Sequence, residues 1–534
     1  MTDTQTLLLT SVIYALLFLI CYFSVFKESE PAKRVKRRSI APQVGALGLL
    51  GLFVLQLCIT GAMPGHVQDT ALFRLWTSMA EKHHIWEYYT TADYVDYPPV
   101  YLYLLFAVGK LAKLFGVDSQ SALYLVCIRS IPIFFDALTS LCLYVFARQR
   151  VGEKKALLLA FLSAVNPSNI LNSTVWGQVE SVTSFMAAAM LLLLYKKQYI
   201  GSCALFVLSF LTKPQMILFA PIFGFVFLAD IMEAWSQTEK RRYMLRRAVY
   251  SVLAALAVLL LVPLPITGGH YGLLIDNYKN AMGLYPYATL NAANLFGALG
   301  ANWTEDSTKL FMVSYKAWGF ICIVALSLLT GYVSLKQRDR SKIFYLGVLM
   351  VAGVFMFSHN MHERYLQPAL LLLLATYLVS ADESMLLFYG GFSVTTFLVC
   401  GRVLLKNQQD SFIYGDDLQF RLLSACNVIL FIVWLWRAAQ TNGFAMQQQK
   451  KEKQKGEQPS MKKKNGSVKE AKIVESTLRK TAAPVRLVRI DYWIMLALTV
   501  FYAIFGFWHL GSRSVPESGW YVETPSESLV LDLG

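Results

Sequence analysis

Charge is what this chain has least of for its size. Of its 534 residues only 16% are Asp, Glu, Lys or Arg, where a soluble protein carries roughly a quarter. Cysteine at zinc-type spacing is missing as well. Cys21, Cys58, Cys127, Cys142, Cys203, Cys322, Cys400 and Cys426 lie singly, in or beside apolar blocks, which speaks against a disulfide framework and a metal site. Basic residues, and no small-residue cleavage motif, follow the first apolar block Leu7–Phe26, so a retained helix is expected there rather than a signal peptide. What the chain has instead is 56% hydrophobic residues, gathered in runs such as Leu7–Cys21, Val44–Ala62 and Leu366–Val379. At ~20 residues per crossing this is material for about fourteen spans. A soluble enzyme, a secreted disulfide scaffold and a nucleic-acid-binding domain are excluded. The expectation is an all-α polytopic membrane protein.

The net charge of +15 is not a nucleic-acid footprint. Between Lys450 and Arg489 there are 13 Lys+Arg against 4 Asp+Glu, a net +9 in one stretch. A solvated linker at an anionic membrane face accounts for that. Apolar runs place spans at 7–26, 43–62, 128–147, 154–169, 180–195, 199–212, 214–231, 249–266, 312–335, 343–358, 366–381, 386–404, 420–438 and 491–511. Pro99–Phe115 is set aside as a surface helix because Lys110 and Lys113 sit one turn apart on it. With that choice one set of loops holds 35 of the 49 Lys+Arg. If Pro99–Phe115 crossed, 29 of those 35 would change sides, against the positive-inside rule. The chain then divides into an N-terminal span and basic loop (1–42), a membrane core (43–438), a basic cytoplasmic linker (439–490), and a last span with an outer tail (491–534). Both termini are expected outside, with long outer loops at about 63–127 and 267–311.

The polar clusters fall on that outer side. Asp69 follows a span, and a carboxylate there can take a proton from an attacking hydroxyl; as an N-cap it would serve structure alone. Asp93-Tyr94-Val95-Asp96-Tyr97-Pro98-Pro99 combines two acids and two aromatics with a proline pair that holds the backbone extended, either as a sugar-receiving rim or as an ordinary interfacial turn. Arg129, Lys213, His362 and Arg364 are cations at span ends, suited to a phosphate. Snorkelling or an Arg129–Asp136 ion pair is the plainer reading of Arg129. His359, His362 and Glu363 lack the His-x-x-x-His pair of a zincin, so no metal is expected. Trp176-Gly177-Gln178-Val179-Glu180 and Asn291–Asn294 add amides and an aromatic.

Taken together, these segments resemble the GT-C superfamily of membrane glycosyltransferases, which use polyprenyl-phosphate-linked sugars. The nearest resemblance is to the lumenal glucosyltransferases of asparagine-linked glycosylation and their bacterial relatives. The matching elements run in order: Asp69 with Trp76 seven residues on, Asp96-Tyr97-Pro98-Pro99, Arg129 with Asp136, Lys213-Pro214-Gln215-Met216, Ala293-Asn294-Leu295-Phe296, and His362-Glu363-Arg364. The proline inside the fourth element, an extra first span and an extra last span depart from the pattern. The resemblance implies a GT-C-type bundle of about 14 transmembrane helices, with a long first outer loop containing a surface helix. It also implies inverting hexose transfer to a glycan or lipid-linked acceptor, with Asp69 as general base. Asp96, Tyr97, Arg129, Gln178, Lys213, Gln215, His362, Glu363 and Arg364 would then bind substrate, and no cofactor is called for.

Rival readings are a flippase or transporter of lipid-linked sugars and a cell-surface glycan polymerase or ligase. Transport would favour ionisable groups near the midplane on interrupted helices, and a polymerase or ligase would favour an Arg-rich outer loop. The expected setting is a bacterial plasma membrane with the site on the extracytoplasmic face, or the endoplasmic reticulum in a eukaryote. Asn172-Ser173-Thr174 and Asn302-Trp303-Thr304 are sequons on that side. The residues after the last span read either as the first strand of an outer β-domain or as a short tail.

Overall fold

The computed structural model describes residues 3–27, 41–91, 95–283, 285–337, 339–441, 444 and 493. Among these, seven helices are long and apolar enough to cross a membrane: Asp3–Phe26, Ala122–Ala147, Pro214–Ala234, Thr238–Leu261, Tyr315–Lys336, Ser384–Gln408 and Leu418–Gln440. Shorter apolar helices run at Gly45–Thr60, Glu180–Tyr195, Tyr199–Phe210, Lys342–Phe357 and Gln367–Ser380. Helix is present in each expected span up to residue 438, but the expected span 154–169 is interrupted between Ala164 and Pro167. The expected span 491–511, the basic linker and the possible β-strand lie outside the described residues.

The bundle is layered by burial. In Lys342–Phe357 every residue from Lys342 to Met356 is buried, and Gln367–Leu378 is buried throughout. These are the central helices, apolar on all faces because all faces meet protein. Thr238–Leu261 buries only Met244 and Ser251 and turns Val249, Leu253, Leu260 and Leu261 outward. Such a face is unremarkable against hydrocarbon and would be a liability in water.

Two local features position the site. Glu153–Ala164 stops at Asn166-Pro167, because the residue before proline is barred from the helical region. The Asn166 side chain caps the restart, accepting from the Ser168 N–H at 2.9 Å. The chain then widens into a π-helical turn, Leu171–Trp176, and leaves it at Gly177 with φ +84°, a conformation natural to glycine. That exit delivers Trp176 and Gln178 to one end of the bundle.

The second feature is a helix pair, Val67–Lys82 and Pro99–Leu114. Pro98 and Pro99 open the latter, the one as extended N-cap and the other at its first position, where a missing N–H costs nothing. Gly109 lets it lie against the Thr77 backbone, where a Cβ would collide. Its Tyr101, Leu102 and Leu105 are fully buried, while Lys110 and Lys113 reach the carbonyls of His83 and Glu81. The helix is 16 residues long and packs on a neighbour of the same polar end.

Candidate active site

Asp69 is not the N-cap of its helix. His66 occupies that position with extended backbone, and Asp69 lies in the first turn. Its Oδ2 accepts two hydrogen bonds, from Trp176 Nε1 at 2.7 Å and from Gln178 Nε2 at 2.5 Å. The His66 ring stacks on Trp176, centroids 5.3 Å apart and 10° from parallel. Tyr97 supports the arrangement from beneath, its hydroxyl donating to Gln178 Oε1 at 3.3 Å. The Trp176-Gly177-Gln178 exit and the Asp69 helix are thus one constellation, and among the described residues both hydrogen bonds to the Asp69 carboxylate go to Oδ2 rather than Oδ1.

Facing Asp69 is the turn His362-Glu363-Arg364, between two central helices. The Arg364 guanidinium lies over the Trp176 ring at 5.2 Å, donates to Glu363 Oε1 at 2.5 Å, and stands 3.5 Å from Glu180 Oε1. Glu180 is also paired with Lys213, whose ammonium sits 5.0 Å above the Tyr365 ring. These groups make a buried network with balanced charge, Glu180 and Glu363 against Lys213 and Arg364. His362 packs edge-on to Tyr285 at 5.0 Å. Burial, then the Arg364 and Lys213 cations, hold its pKa well below the usual imidazole range. Burial also lowers His66, with the Asp69 carboxylate partly opposing it. Both rings are therefore neutral at pH 7.

Asp69, His362, Glu363 and Arg364 line one partly open pocket of about 200 Å3. Gln178, Tyr97 and Lys213 stand behind it. Asp96 is outside its lining, and Gln215 lines a separate, mostly apolar cavity beside Glu180 and Tyr365. Arg129 departs furthest from the expectation. Its side chain is 1% exposed, and its guanidinium donates to the carbonyls of Thr60 at 2.8 Å, Met63 at 2.7 Å and Pro64 at 3.3 Å. Those carbonyls end the helix before Asp69, so Arg129 ties down the loop that carries the carboxylate, and it is not among the residues that line the pocket. It makes no ion pair with Asp136. Among the described residues, no group of three or more His, Cys, Asp or Glu side chains is arranged to share a metal ion. The sequon asparagines Asn172 and Asn302 are 2% and 5% exposed, and Asn302 donates to Asn291 Oδ1 and the Ile413 carbonyl.

No protein-family model matches the chain, and no curated protein matches it. Solved structures show a distant likeness, among them two membrane proteins. ArnT from Cupriavidus metallidurans, bound to undecaprenyl phosphate, is similar at a TM-score of 0.38 and 12% identity, over 76% of this chain and 77% of that one. An Archaeoglobus fulgidus oligosaccharyltransferase, in complex with zinc and sulfate, is similar at a TM-score of 0.30 and 16% identity, over 82% of this chain and 53% of that one. Neither likeness is close enough to decide fold or activity. The site rests on its own geometry.

That geometry includes residues the sequence reading missed. Lys406, Asn407, Asp410, Ser411 and Phe412, from the end of Ser384–Gln408 and the loop after it, form the far wall of the pocket, with Trp303 beside them. Asn407 accepts the Val67 N–H at 2.9 Å and donates to Gln68 Oε1 at 2.7 Å. It supplies the side-chain acceptor that His66 does not supply to this helix start. The only signal in the sequence was a run of polar residues at the end of an apolar block, and the partner lies 340 positions away.

Proposed function

We propose that this chain is a membrane glycosyltransferase that transfers a hexose from a polyprenyl-phosphate-linked donor to a glycan or lipid-linked acceptor. It would do so on the extracytoplasmic face, with inversion and without a cofactor. The observation that carries the reading is the Asp69 carboxylate, fixed through Oδ2, in a pocket it shares with Arg364. The acceptor oxygen attacks the anomeric carbon, its proton goes to Asp69, and the bond from that carbon to the phosphate oxygen breaks. The phosphate leaves with one more negative charge than it had in the donor. Arg364 is preorganised to meet that charge, an electrostatic contribution of roughly 3–4 kcal/mol for one good donor. His362 completes the leaving-group side with a neutral ring N–H, and Lys213, paired with Glu180 behind the pocket, acts on Arg364 through that shared carboxylate. Gln178 and Tyr97 act from behind the pocket by holding the Asp69 carboxylate, Arg129 acts through the loop it holds, and Asp96 and Gln215, outside the pocket lining, are left without a direct part. The resemblance in residue order, from Asp69 to Arg364, supports the same reading and the bundle of about fourteen spans with a surface helix at Pro99–Leu114.

The test is release of free polyprenyl phosphate by detergent-purified protein given a panel of polyprenyl-phosphate hexoses and extracted lipid-linked or polymeric acceptors. Release by wild type and not by Asp69→Asn is the expected result. No release with any donor would overturn the reading.

One observation favours a second reading, a transporter of lipid-linked sugars. Asp136 sits inside a membrane-length helix, lining a small closed cavity with Ser163, Asn169, Ser181, Ser184 and Gln367, beside the interrupted helix at Asn166-Pro167. Movement of a sugar lipid across sealed vesicles, with no glycosyl transfer, would favour it.

A further inference from the structure

The pocket has two unlike walls. The wall of Asp69, His362 and Arg364 is fully used by the donor chemistry above. The opposite wall is built on Trp303, Asp410, Ser411 and Phe412, to which that chemistry assigns nothing. Phe412 is 58% exposed, and its ring meets Trp303 edge-on, centroids 6.1 Å apart and 81° between planes. Trp303 is pinned from the other side, its Nε1 donating to Asn291 Oδ1 at 3.1 Å. An aromatic belt at the membrane interface would also expose such rings. It would not surround them with a carboxylate and a hydroxyl on a pocket wall.

The loop itself is preformed. Asp410 takes a left-handed backbone with φ +48°, the Ser411 N–H returns to the Lys406 carbonyl at 2.9 Å, and the Asp410 N–H returns to Asn407 at 3.2 Å. The Ile413 carbonyl accepts from Asn302 Nδ2 at 2.6 Å. An exposed aromatic ring beside a carboxylate and a hydroxyl on a hydrogen-bonded loop offers what a pyranose needs: its C–H face packs on the ring while its hydroxyls meet carboxylate and hydroxyl partners. The same helix end also sets the distance to the base, because Asn407 grips Val67 and Gln68, immediately before Asp69.

The geometry points to this wall as the acceptor subsite, and to a carbohydrate as the acceptor: a terminal sugar lies against Phe412 and Trp303, is held by Asp410 and Ser411, and presents its hydroxyl to Asp69. The inference rests on the glycosyltransferase reading for the direction of attack, and its test is independent of turnover.

Detergent-purified full-length protein is applied to an array of defined oligosaccharides, as wild type, Asp69→Asn, Phe412→Ala, Phe412→Tyr and Asp410→Asn. Asparagine tolerates the left-handed backbone at position 410, and Phe412 is exposed, so these variants keep the fold, which their melting temperatures check. Wild type, Asp69→Asn and Phe412→Tyr are expected to bind the same glycans. Phe412→Ala and Asp410→Asn are expected to bind them at least about tenfold more weakly. Binding of no glycan by wild type, or equal binding by all five proteins, overturns the subsite. Failure of the transferase reading shows elsewhere, as absent release of polyprenyl phosphate. Glycan binding that persists in that case leaves a sugar site without the enzyme.

Discussion

Asp69→Asn separates chemistry from architecture, because both hydrogen bonds to the carboxylate converge on one oxygen. Trp176 Nε1 and Gln178 Nε2 donate to Oδ2 at 2.7 and 2.5 Å. An asparagine can place its carbonyl oxygen there, keep both bonds, and put an NH2 group, which cannot accept a proton, at the position of Oδ1. Losing the charge weakens each bond from about 1.5–3 to about 0.5–1.5 kcal/mol, so the variant should lose about 1–3 kcal/mol of stability in total. Turnover should fall by about 10²–10⁴, the range of a positioned general base. Asp69→Ala makes the contrast. It strands both donors at a cost of about 1–3 kcal/mol each and should be the less stable protein at equal inactivity. The assay is polyprenyl phosphate release at saturating donor, with thermal unfolding of all three proteins in the same detergent. Turnover of Asp69→Asn within about tenfold of wild type would refute the base, and an Asp69→Ala protein as stable as Asp69→Asn would refute the hydrogen-bond geometry.

Arg129→Lys should lower the melting temperature, since a lysine cannot fork across the three carbonyls at Thr60, Met63 and Pro64. A cost of about 1–3 kcal/mol is expected from the lost bonds. Its donor KM should stay near wild type, and a rise in donor KM at unchanged stability would return Arg129 to the phosphate. Asn407→Ala removes the acceptor for Val67 N–H, worth about 1 kcal/mol as a lost cap. By loosening the helix start that aims Asp69 it should cut kcat about tenfold or more at unchanged donor KM; an unchanged kcat would dismiss the clamp. The pH dependence of stability has a definite sign. His66 and His362 are held below the imidazole range in the folded protein, so below about pH 6.5 the unfolded chain binds their protons first. Stability then falls with acidification and levels off below the folded pKa values. The melting temperature between about pH 5 and pH 8 should slope less in His362→Gln than in wild type, and equal slopes would refute the assignment.

The membrane character was legible in the sequence because hydrocarbon thickness imposes a length and a composition on each span, and both are local properties. The proline signal at Pro98-Pro99 was local too and began a helix through sterics confined to neighbouring residues, whereas the same sterics at Asn166-Pro167 broke the expected span 154–169, which the apolar run alone had carried through. Six spaced fragments from Asp69 to Arg364 could be ranked as candidates because acids and cations are scarce in an apolar chain. Their partners were another matter. Nothing within a few residues of Asp69 says that Trp176 and Gln178 will share one of its oxygens, that Glu180 will pair with Lys213 and Arg364, or that Arg129 will be used up on backbone carbonyls. A guanidinium at a span end looks the same in sequence whether it meets a phosphate or a helix terminus. The far wall of the pocket, from Trp303 to Phe412, carries no motif, and Asn407 reaches its helix across 340 positions. Span lengths and helix breaks follow from forces that act along the chain; which charges remain for substrate depends on which backbone and side-chain groups packing has already satisfied, and only the tertiary structure decides that.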